Sequence, residues 1–143
     1  MALLHLSGEA TFDTVRLVGM AIRAVCASVS SSSEAAQIEL AVVEASNNIV
    51  EHAYRAVQGD IALDVDIGEK KIVIALHDTG ETMPTASHQS ANLDFDPMNL
   101  DDLPEGGMGL FLMTSIMDEQ SYVSVNGKNT LTLTKFLHGE NND

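Results

Sequence analysis

Glu44, Asn48 and His52 recur every four residues in "EASNNIVEHAY" (residues 44–54), which also carries Asn47 and Glu51 in what otherwise reads as a buried apolar helix. At about 100° per residue the three stack along one margin, beside a stripe of Ile38, Val42, Ala45 and Ile49. A half-buried carboxylate needs compensation, and an asparagine one turn away can share a hydrogen-bond network with it or hold a hard cation through its carbonyl oxygen. Taken alone, a polar helix face turned to water is the commoner origin of such a row. Val43, Val50 and Tyr54 on the far side oppose that origin, because they imply burial from more than one direction. His52 by itself reads as a packed or capping histidine.

Two later stretches could join this row. Asp78-Thr79-Gly80 follows the strand-like "KKIVIALH". A tight turn suffices to explain it, since Asp tolerates such backbones and Gly permits positive φ. A carboxylate at a strand end would also accept from an amino donor such as that of an adenine ring, and a glycine two residues on would let the ring approach the backbone. Gly106, Gly107 and Gly109 in "GGMGLFLM" stand just before a helical pattern, where exposed N–H groups and the positive end of the helix dipole suit phosphates; a flexible hinge is the alternative. The spacing is neither GxGxxG after a strand nor GxxxxGK[ST], so the folds that carry those motifs lack support. Between these stretches, Asp94, Asp96, Asp102 and Glu105 imitate four positions of a calcium loop. Met98 and Asn99 stand where a ligand and the turn glycine belong, with Pro97 beside them, and this argues against calcium.

The elements that must position these residues follow from periodicity. A short strand is expected over residues 2–6 and an amphipathic helix over 12–29, with Val15, Val18, Ile22, Val25 and Val29 inward. Serines 30–33 interrupt it and supply an N-cap for a second helix, with Glu34 near its positive end, running towards Gly59. Two hairpins are expected, one turning at Gly68-Glu69 and one at Asn126-Gly127, with a Met-rich helix before the second. Residues 81–105 lack any period and read as a long loop or lid, and residues 138–143 as a disordered tail. The sum is an α+β fold, a two-layer sandwich of a sheet with helices on one face, in a single domain spanning residues 1–143.

Composition narrows the partners. With 21 acidic against 7 basic residues the formal net charge is -14, which repels nucleic acid and anionic membranes. No run approaches the roughly 20 apolar residues of a membrane span. The lone Cys26 cannot form an internal disulfide and reads as a small buried group, as in a reducing cytoplasm.

Taken in order, Glu44 to His52 on a helix, Asp78-Thr79-Gly80 after a strand, a long lid, and Gly106-Gly107-Met108-Gly109 opening a helix resemble the three nucleotide-binding boxes of the GHKL ATPases. Within that superfamily the short chain, "EHAY", "GGMGLFLM" followed by "MDE", and the closing "TLTLTK" resemble the bacterial anti-sigma factor serine kinases, over about Thr11 to Leu137. The resemblance implies a Bergerat ATP-binding fold, often homodimeric, that uses ATP and Mg²⁺ to phosphorylate a STAS-type anti-sigma antagonist and also binds a sigma factor. By position, Glu44 resembles the general base, Asn48 the Mg²⁺ ligand, Asp78 and Gly80 the adenine site, and Gly106, Gly107, Met108, Gly109 and Leu110 the phosphate loop. His52 falls in the same nucleotide-contacting box, and Thr130 resembles a hydroxyl beside the adenine. One departure stands out: Glu81 to Gly109 holds no Lys or Arg and four aspartates, a poor setting for a polyphosphate. That departure motivates an alternative, a non-catalytic binding module that works by partner sequestration.

Overall fold

Alternating apolar residues build the sheet, and their register sets which side chains meet. In a computed structural model of the chain, residues 2–53, 59–81 and 113–137 are described. The strands are β1 (Ala2–Glu9), β2 (Asp60–Ile67), β3 (Lys71–Asp78), β4 (Glu119–Val125) and β5 (Lys128–Phe136). They form one sheet in the order β1-β2-β3-β5-β4, each neighbouring pair antiparallel. On β2 and β3 every second residue is buried: Ile61, Leu63 and Val65, then Ile72, Ile74 and Leu76. A period of two therefore leaves one face covered and the other open. The strand expected over residues 2–6 extends to Glu9, because its pairing with β2 continues to Glu9 opposite Asp60. Both hairpins form, and Asn126 and Gly127 take the positive φ values of 53° and 79° that a two-residue turn of this hand requires.

The covered face carries helices α1 (Phe12–Ala27) and α2 (Ser32–Asn48). Thr11 caps α1 by accepting from the Thr14 N–H at 3.1 Å. Ser31 caps α2 in a reciprocal box: the Glu34 N–H donates to its Oγ at 3.0 Å, and the Glu34 carboxylate accepts from the Ser31 N–H at 3.4 Å. The α1 stripe is buried as expected at Val15, Val18 and Ile22, but Val29 is exposed beyond the helix end. The reason is local: the Ser28 and Ser30 hydroxyls donate to the carbonyls of Val25 and Cys26, competing with further helical turns. Gly19 lets α1 lie close on α2, since a Cβ there would meet Val43 Cγ2 at 2.6 Å.

The α2 stripe Ile38, Val42, Ala45 and Ile49 is buried throughout and joins Ile22, Cys26, Leu63, Ile74, Leu76 and Leu133 in one core cluster. Cys26 is fully buried and its thiol is pushed up to about 11 by that burial, in keeping with a packing role. Residues 113–116 are α-helical, with Met113 and Met117 in the core, and Lys135 Nζ donates to the Ile116 carbonyl at 2.9 Å. The second helix does not run on as one α-helix towards Gly59: at Ile49–Ala53 the chain forms a π-helical turn. No helix among the described residues is long and apolar enough to cross a membrane.

Candidate functional site

The sheet places Asp78 at the end of β3, on the covered face with Ile72, Ile74 and Leu76. Its Oδ1 accepts from the Gly80 N–H at 2.9 Å and from the Asn129 side-chain amide at 2.8 Å. Asn129 is 1% exposed; its amide also donates to the Gly80 carbonyl at 3.0 Å, and its Oδ1 accepts from the Ser124 hydroxyl at 2.7 Å. The carboxylate, the glycine backbone and the β5 amide thus lock one another. Burial raises the Asp78 carboxyl above the usual carboxylate range, against the pull of the Asn129 and Gly80 hydrogen bonds and of His77. Among the described residues the two bonds that fix the carboxylate both fall on Oδ1, which leaves Oδ2 to address a ligand.

Glu44 and Asn48 stand one helical turn apart on α2 and are half-buried, on the flank of the stripe that meets the sheet's covered face. A carboxylate and an amide oxygen so placed can serve as a base and as one ligand of a hard cation. His52 lies in the π-helical turn Ile49–Ala53 that follows Asn48. Gly80 is half-buried and part of the lock. Gly106, Gly107, Met108, Gly109 and Leu110 lie outside the described residues, as does most of the lid expected over residues 81–105 and the tail expected over 138–143.

Thr130 falls on the opposite face of the sheet from Asp78. Its hydroxyl pairs with His77 Nδ1 at 3.0 Å, while the β5 residue beside Asp78 is Asn129. The registry explains this: Asp78 pairs with Asn129 and His77 with Thr130, so the two rungs point to opposite sides. Asn129 was the residue missed, and its signal was present in the pattern. Leu131 and Leu133 face the core, and strict alternation takes Asn129 with them and Thr130 away.

Residues 8–135 match the family described as histidine kinase-like ATPase domain. Among curated proteins, the serine-protein kinase RsbW of Bacillus licheniformis is 34% identical over 109 residues, covering 74% of this chain and 67% of that protein. RsbW of Bacillus subtilis is 32% identical over 112 residues, covering 77% and 69%. RsbW of Staphylococcus aureus is 37% identical over 105 residues, covering 71% and 65%. Among solved structures, the RsbU and RsbW domains of a Mycobacterium tuberculosis protein match with a TM-score of 0.66 at 21% identity, over 97% of this chain and 34% of that one. That structural likeness concerns the fold.

Proposed function

The chain belongs to the family of histidine kinase-like ATPase domains, and on that premise we propose that it is an ATP-dependent protein serine/threonine kinase acting as an anti-sigma regulatory factor. Its substrate would be a seryl or threonyl hydroxyl on a STAS-type anti-sigma antagonist, its second partner a sigma factor, its working form a homodimer and its place the cytoplasm. The serine-protein kinase relatives support the activity, and the observation that carries the nucleotide reading is the buried Asp78, Gly80 and Asn129 lock. A fixed, largely desolvated carboxylate beside a glycine suits the amino group and flat face of an adenine better than it suits solvent.

Each residue then has a task. Asp78 accepts from the base through Oδ2, and Gly80 leaves room for the ring. Asn48 would hold Mg²⁺ through its side-chain oxygen. Mg²⁺ is commonly held by one or two protein ligands together with phosphates and water. MgATP supplies the transferable phosphoryl group and the cation that neutralises it. Glu44 takes the proton as the substrate hydroxyl oxygen bonds to the terminal phosphorus and the bond to ADP breaks. Residues 106–110 would hold the phosphates through backbone N–H groups.

Two measurements test this. A saturating ligand at 100 times its Kd stabilises a fold by about 2.7 kcal/mol; MgATP should raise the midpoint of thermal unfolding, and Asn48→Ala should lose most of the rise. Labelled phosphate should pass from ATP to a cognate antagonist, and Glu44→Ala should abolish transfer. Nucleotide binding with no transfer to any cognate antagonist would reject the kinase and leave the sequestration module.

A further inference from the structure

Asn129 occupies a core position that packing alone would fill with an apolar residue, since Leu131 and Leu133 continue the same face of β5. A buried amide costs stability unless its polar atoms are bonded, and here both ends are. Its Nδ2 donates to Asp78 Oδ1 at 2.8 Å and to the Gly80 carbonyl at 3.0 Å, and it reaches the Glu81 carbonyl at 3.5 Å. Its Oδ1 accepts from the Ser124 hydroxyl at 2.7 Å, across the rung that pairs β4 with β5. The amide has two hydrogens, so Asp78 and Gly80 engage both. Turning the amide over would set its oxygen against the carboxylate, acceptor against acceptor. The Gly80 N–H is engaged as well, on the same Asp78 oxygen. Asp78 cannot rotate about its last side-chain bond without giving up both donors, so the direction of Oδ2 is fixed.

We propose that Asn129 is a positioning residue that makes the base site selective for a purine bearing an exocyclic amino group, by holding Asp78 as a fixed acceptor and the Gly80 backbone beside it. The inference deepens the nucleotide reading of Asp78 and rests on it. Asn129 acts through Asp78, because its own hydrogens are engaged within the protein. With the Asn129 amide and the Gly80 N–H both turned to the protein, the group left to meet the base is an acceptor, and an acceptor rewards a base that donates. Burial pushes the Asp78 carboxyl towards its neutral form, and the Asn129 amide leads the groups that oppose this. A neutral carboxyl could present a hydrogen to the base, donor against donor, and the selectivity would be lost.

The test compares the dissociation constants of MgATP and of the magnesium complex of purine riboside triphosphate, which lacks only the amino group, for the native protein, Asn129→Val and Asn129→Thr. Both replacements suit a strand and have nearly the same shape, but Thr carries a hydroxyl that can donate to Asp78. The readout is the ratio of the two constants, so a loss of affinity from altered packing, common to both nucleotides, cancels. The native protein should favour MgATP by about tenfold or more, the worth of one hydrogen bond to a charged group. Asn129→Val should bring the ratio down several-fold towards one, and Asn129→Thr should recover part of it. A native ratio retained by Asn129→Val, an equal loss in Asn129→Val and Asn129→Thr, or a native ratio of one would each overturn the inference while leaving the nucleotide site standing. A native protein that binds neither nucleotide would overturn the site and the inference together.

Discussion

At the scale of single residues, the site turns on a carboxylate held where folding alone would not put one. Asp78 is 6% exposed and its carboxyl is raised by that burial, so the fold favours its protonated form. The sign follows from linkage: stability from a raised carboxyl is fully present below its unfolded pKa and is lost as pH rises through the folded one. At neutral pH the ligand-free protein therefore carries a penalty for keeping Asp78 charged. Asp78→Asn should remove it, because an amide oxygen can still accept from Gly80 and Asn129. Its NH₂ would then face the amino group of the base, donor against donor. The expected outcome is a higher unfolding midpoint for ligand-free Asp78→Asn at neutral pH, by a few degrees, with the gain shrinking in acid and no further rise on adding MgATP. Thermal scans across pH check this, and a lower midpoint in the variant at neutral pH would refute it. Sequence alone made Asp78 and Gly80 visible, since both belong to a strand-end pattern. It suggested Thr130 in place of Asn129 because the resemblance drew attention to a hydroxyl, while the face each residue takes depends on counting alternation back from Leu133 and Leu131.

At the scale of elements, most boundaries were written in local chemistry. The two hairpins were readable because a period of two and the turn residues at Gly68 and Asn126-Gly127 agree, and Ser31 with Glu34 announced the start of α2. The π-helical turn at Ile49–Ala53 was not readable. Nothing in "IVEHA" departs from α-helical composition, and a register shift of one hydrogen bond leaves no compositional mark. The capping box offers a direct measure of how much α2 depends on its start. Ser31→Ala leaves the Glu34 N–H without its side-chain acceptor and should cost about 1 kcal/mol, read as a lower denaturation midpoint at unchanged denaturant dependence. Ser31→Asp should recover most of that loss, since it restores both the acceptor and the favourable charge at the positive end of the helix. A loss with Ala that Asp leaves unrecovered would assign the effect to packing.

At the scale of the molecule, the formal charge of -14 sets a field that every partner meets. The ion pairs among the described residues are few: Asp64 with His5 and His77, Arg23 with Glu39 at 3.4 Å, and Lys135 with Asp118 at 3.9 Å. Each pair keeps one partner more than a third exposed, and pairs open to solvent contribute about 1 kcal/mol or less, so screening them removes little. Screening the excess negative charge removes a repulsion that acts across the whole fold, because the Debye length falls from about 10 Å at 0.1 M salt to about 3 Å at 1 M. The second effect should win, and the ligand-free protein should unfold at a higher temperature as sodium chloride is raised through that range. A midpoint that falls with salt would show that attractive pairs outweigh the net charge. The same field opposes the approach of ATP, which is itself an anion, so the rate of MgATP association should also rise with ionic strength. This is the reverse of ordinary electrostatic steering, and stopped-flow association rates at increasing salt measure it.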